Sequence, residues 1–98
     1  MKDQDRKPII LCAGPNGRAV IFGLVTEDPV PGEPVTLRDA RMVLRWEGGS
    51  GLFGLAANGP QPGSRITAPV ESTTATVWRE VIEVSPAAAD AITGWPHA

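Results

Sequence analysis

The segment at positions 40–67, ARMVLRWEGGSGLFGLAANGPQPGSRIT, gathers the groups in this chain best suited to holding an anion. Arg41, Arg45 and Arg65 carry guanidiniums, whose planar fork matches phosphate and carboxylate oxygens two at a time. Trp46 offers a flat surface for stacking. Gly48, Gly49 and Gly51 surround Ser50, and the backbone N–H groups of such a turn, entering a helix, can cradle a phosphate. Arg41 and Arg45 share a parity in a run of period two, so their Cβ atoms lie about 13 Å apart along a strand. That spacing is too long for one phosphate. It suits the two ends of a dinucleotide-sized ligand, or two subunits' shares of one. The same residues also fit a plainer arrangement, with solvated arginines, a core tryptophan and a tight glycine turn.

Catalytic groups are scarce. The one histidine, His97, and the one cysteine, Cys12, are far apart in the chain, which makes neither a nucleophile–base pair nor a zinc site. Cys12 sits in PIILCA and reads as a small buried hydrophobe. Glu80 and Glu83 alternate across a strand rather than facing each other, and with Asp90 they read as solvated or salt-bridged. Neither glycine cluster carries the Walker lysine or a strand–GxGxxG–helix context. The expectation is a non-enzyme with no catalytic residue, no metal and no cofactor.

Ninety-eight residues make one small domain, and a chain of this size buries little more than about 60% of its unfolded surface. The net charge of −2 argues against a general DNA or RNA binder. Both lysines fall in the leader MKDQDRK, and from residue 8 onward every basic residue is arginine. No apolar run approaches the 18 residues or so of a membrane helix. These features lead us to expect a soluble, intracellular protein without membrane partners.

The elements that must position the arginines follow from periodicity and turn chemistry. After a polar leader (1–7), the domain is expected over 8–98. PIILCA (8–13) and RAVIFGLVT (18–26), joined by Gly-Pro-Asn-Gly, read as a hairpin. The second run is apolar on both parities, so a helix or a neighbouring subunit must cover each face. EDPVPGEP (27–34) is a turn that no helix crosses. VTLRDA and RMVLRW continue as strand, with Met42, Leu44 and Trp46 on one side and Arg41, Val43 and Arg45 on the other. LFGLAANG (52–59) can hold one helical turn. RITAPV (65–70) is a short strand, confined to an edge or an end by Pro69. TATVWREVIEVS (74–85) is the longest β-branched run. SPAAADAITG (85–94) has Ser85 as N-cap, Pro86 at the first helical position and Gly94 at the stop. The fold class expected is mainly β (α+β): a compact antiparallel domain of five or six strands, with a short internal helix and a C-terminal helix. Two strands apolar on both faces also suggest a homo-oligomer.

KPIILCA, AVIFGLV, VTLRDARMVLRWEGGSGLFGLAANG, SRITAPV and EVIEVSP, with a short helix before GWP, resemble a family of small phage and prophage proteins. More remotely, the segment is similar to the β-rich part of the phage Thoeris anti-defence sponges. That resemblance implies a counter-defence sponge in the host bacterial cytoplasm. Such a protein sequesters a nucleotide-derived signal, a cyclic oligonucleotide or a cyclic ADP-ribose isomer, without cleaving it. A structural or assembly protein of a phage, with no small-molecule ligand, is the alternative.

Overall fold

Gly-Pro-Asn-Gly closes a tight hairpin between β1 (Lys7–Ala13) and β2 (Ala19–Val25), which pair antiparallel from Ala13 opposite Ala19 to Lys7 opposite Val25. The computed structural model describes residues 6–97. Most of the expected leader, residues 1–5, lies outside them. Lys7 already belongs to β1, and its ammonium sits 2.7 Å from Asp28 and 3.4 Å from Glu83. Hydrogen bonds to these two carboxylates, Asp28 first, raise its pKa above the ordinary lysine value.

The chain continues through β3 (Val35–Arg45), α1 (Gly51–Asn58), β4 (Arg65–Ile66), β5 (Val70–Ala75), β6 (Trp78–Glu83) and α2 (Pro86–Thr93). The six strands form one antiparallel sheet in the order β4-β3-β2-β1-β6, with β5 also on β3. β3 is long enough to serve two partners. Its first half pairs with β5, from Val35 opposite Ala75 to Ala40 opposite Val70, and its second half pairs with β4. The expected antiparallel β domain with two helices is therefore what the chain forms. The finer differences are local. RITAPV holds only a two-residue strand before Pro69, and Thr76 and Val77 break the run expected over 74–85. The internal helix runs to eight residues, about two turns.

The connection between β5 and β6 shows how the sheet is shaped. These strands lie at opposite edges, yet only Thr76 and Val77 separate them. Three Cα steps reach at most about 11 Å. Five flat strands would hold their edges about 19 Å apart. The sheet must curl into a half-barrel. Its inner face packs Ile9, Leu11, Val25, Val35, Leu37 and Ala40 against one another. Gly23 allows this closeness, because a Cβ there would stand 2.6 Å from that of Leu37.

The outer face packs Ile10, Val20, Phe22, Val43 and Ile66 beneath Leu55 and Ala56 of α1 and Ala88 and Ile92 of α2. Ser85 fastens the two helices to each other. Its hydroxyl accepts from Ala88 N at 3.1 Å, capping α2, and donates to the carbonyl of Ala57 in α1 at 2.9 Å. The two-sided apolar pattern of β2 thus finds its cover within one chain: helices outside, the sheet's own curl inside.

Candidate functional site

β3 carries Arg41 and Arg45 and leads directly into Trp46 and the glycine turn, and two irregularities decide where these side chains point. The register with β2 shifts by one residue between the pairs Leu24–Arg38 and Phe22–Arg41, and Asp39 sits there with φ 50°. A second shift, against β4, falls between Val43 and Arg45. Each extra residue reverses the alternation of every residue after it.

Arg41 consequently lies under the helices. It is 4% exposed. Its Nε donates to the carbonyl of Thr67 at 2.7 Å, and its Nη1 donates to those of Ile92 at 2.7 Å and Thr93 at 3.1 Å. The last two are carbonyls at the end of α2 that have no partner within the helix. Burial lowers the Arg41 pKa from its ordinary value, and a guanidinium still keeps its charge. This arginine fastens α2 and the segment between β4 and β5 to β3. The expectation that it engages a ligand phosphate is corrected: the side chain is buried, and three of its five donors are spent on backbone carbonyls.

Trp46 is corrected in the same way. Beyond the second register shift it returns to the side of Val43, where it packs half-buried against the core under the helices. Its indole is a wall of that core and not an open stacking surface.

Arg45 and Arg65 are brought together. They are register partners across β3 and β4. Ile66 belongs to the helix-covered core, so Arg65 and its partner Arg45 face the other way. The Arg45 side chain is 66% exposed, and its Nε lies 2.6 Å from Glu47 Oε2. Among the described residues Arg65 has no ion-pair partner within 4.0 Å. Two guanidiniums with one carboxylate leave a local positive charge.

Gly48, Gly49, Ser50 and Gly51 are exposed; the first three lie between β3 and α1, and Gly51 begins α1. Gly48, Ser50 and Gly51 all have positive φ, at 123°, 69° and 57°. Ser50 occupies the N-cap of α1 without a side-chain cap bond. A polar cleft of about 230 Å³ borders this turn, lined by Glu47, Gly48, Gly49, Gly54, Asn58 and Gln61.

One feature had no signal in the sequence. Ile21, Ala40, Met42 and Val70 line an apolar groove of about 210 Å³ on the sheet face opposite the helices, with Thr67 and Thr73 at its rim. Thr67 tracks Met42 along the ladder, donating its N–H to Met42 O at 2.9 Å and accepting from Met42 N at 3.0 Å through its hydroxyl. Arg65 precedes Thr67 by two residues, about 7 Å on the same side of an extended chain. The arginine pair therefore stands at one end of the groove.

Among known families, the profile of a domain of unknown function, DUF6948, matches residues 6–95. The chain belongs to the DUF6948 family. No curated protein and no solved structure matches it. In this DUF6948 chain the match spans every strand and both helices. It includes the arginine pair, the groove and the glycine turn.

Proposed function

We propose that this domain binds a nucleotide-derived anion and holds it without turnover, as a sequestering protein does. The observation that carries this reading is the Arg45–Arg65 pair, two guanidiniums across one exposed ladder, at the end of an apolar groove. The groove's volume falls below the roughly 300–1,000 Å³ of a pocket for a whole drug-sized ligand. It suits one ring system, such as a base, lying against Ile21, Met42 and Val70. The arginines then take the phosphate, and the glycine turn beyond Glu47 offers backbone N–H groups to a second one. The base seat moves from Trp46 to this groove, because Trp46 belongs to the core. The resemblance to phage sponges supplies the setting: a cyclic oligonucleotide or cyclic ADP-ribose isomer, sequestered in a bacterial host.

A second reading rests on exposed apolar side chains. Leu44 is 53% exposed, Val70 54% and Phe53 65%. In an assembly protein these are subunit contacts, and in a homo-oligomeric sponge a second subunit on Leu44 and Val70 closes the groove. Incubation with a panel of cyclic nucleotides, followed by heat release, separates the readings. A sequestering protein depletes one ligand and returns it intact. An enzyme returns product, and an assembly protein depletes nothing. Arg45→Ala should weaken binding by at least about tenfold, since charge-assisted contacts contribute roughly 1.5–3 kcal/mol each. Its melting should barely change, because the side chain is exposed.

A further inference from the structure

A second cationic cluster lies at the other end of β3, on the other face of the sheet. Strand registers place it. Lys7 opposite Val25 puts Arg6 beside Thr26, and Leu24 opposite Arg38 continues to Thr26 beside Thr36. Thr36 in turn pairs with Thr74 on β5. Arg6, Thr26, Thr36 and Arg38 line one cleft of about 480 Å³. By alternation these residues share the face of Phe22 and Ile10, past the point where the helices stop covering it.

We infer that Arg6, Arg38 and the hydroxyls of Thr26 and Thr36 form a binding site for a tetrahedral oxyanion, the phosphate of a small phosphomonoester or diphosphate. Three observations support the site. Among the described residues, two guanidiniums line the cleft and no carboxylate does. Among the described residues the only acid contact is long, with Arg6 Nη1 standing 4.0 Å from the exposed Asp39, and Arg38 has no ion pair. The second observation is an orphan donor: Arg6 Nε is buried without a hydrogen-bond partner among the described residues. Native structures satisfy such groups, with protein, water or ligand.

The third is hydroxyl supply. Thr36 and Thr74 share one hydrogen bond at 2.9 Å in which either hydroxyl can donate, and with Thr74 as the donor Thr36 keeps its own O–H for an anion. Glu27, Asp28 and Glu33 line the neighbouring cleft, but Asp28 is held by Lys7. Those acids bias the site toward a compact phosphate group. With a net charge of −2, a long polyanion such as a nucleic acid is disfavoured. The site stands apart from Arg45 and Arg65, roughly 20 Å along β3 and on the opposite face. It does not depend on them.

The test is titration of the full chain with pyrophosphate, followed by ¹⁵N NMR, with sodium chloride at matched ionic strength as control. Saturable shifts of the Arg6 Nε–H and the Thr26 and Thr36 amides, absent with chloride, are expected. Arg38→Gln should raise the dissociation constant at least about tenfold, while Arg18→Gln, at an exposed arginine in the turn between β1 and β2, leaves it unchanged. Arg38 is exposed, so its replacement leaves the fold intact. Equal shifts with chloride, or no saturation by millimolar pyrophosphate, would overturn the site. Arg38→Gln binding as tightly as wild type would overturn it too.

Discussion

Replacing Arg41 by methionine keeps the length of the side chain and removes its charge and all of its donors. Three carbonyls lose a guanidinium donor: Thr67 and Ile92 at 2.7 Å, and Thr93 at 3.1 Å, with Ile92 O keeping the longer bond from Trp95 N at 3.2 Å. Hydrogen bonds to a charged group contribute roughly 1.5–3 kcal/mol each. The Thr93 bond is longer and only part-buried, so two bonds at the lower value set the scale, about 3 kcal/mol. For a domain near 100 residues, about 3 kcal/mol corresponds to a fall of about 12–24 °C in Tm. Thermal unfolding followed by circular dichroism reads this directly. Hydrogen exchange should show α2 losing protection before the sheet does, since the lost bonds hold its C-terminal end. Arg41→Lys keeps one donor group of similar reach and should recover only part of the loss. A fall of less than about 4 °C for Arg41→Met, together with loss of ligand binding, would refute the structural assignment and return Arg41 to the binding site.

Ser85→Ala removes both the cap of α2 and the tie to Ala57, and should cost about 1–2 kcal/mol in urea unfolding; Ser85→Asp restores the cap but not the tie, and should recover only part. Gly54 faces the carbonyl of Gly49 so closely that a methyl has no room, so Gly54→Ala should destabilise by about 1–3 kcal/mol. An ordinary helix glycine would gain up to about 1 kcal/mol from the same change, so the sign of the shift decides the matter. Cys12 is 4% exposed, and burial, with Glu80 adding to it, pushes its thiol pKa up. Above the ordinary thiol pKa the unfolded chain releases this proton while the folded chain keeps it. Stability is therefore whole below that pKa and falls as pH climbs toward the folded value. Cys12→Ala should lack this slope, and a thiol reagent should label the native protein no faster than it opens.

Local chemistry in this chain is legible by eye. Gly-Pro-Asn-Gly allows little but a reversal, Ser85-Pro86 starts a helix, Pro69 ends a strand, and alternating β-branched residues extend. Each of these depends on atoms within a few bonds of one another, so one sequence specifies them. That β2 needs cover on both faces is equally plain from its residues. What supplies the cover is not, because helices, a partner or the curl of the sheet satisfy the same pattern.

The site residues divide at this boundary. Counting parity puts Arg41 with Arg45, and Trp46 with Met42. Asp39 at φ 50° and the register shift beside Leu44 each insert a residue into β3 without any change in its composition. Period two is lost twice, so Arg41 turns under α2 while Arg45 turns toward Arg65. Arg65 had to arrive from 20 positions away to make the pair. The Arg6–Arg38 cluster draws on β3 and on the residues just outside β1 and β2, and the groove on four segments. Residue types were set by the sequence alone, but their meeting depended on register. A register is chosen by the summed burial of the whole sheet, and no single segment carries it.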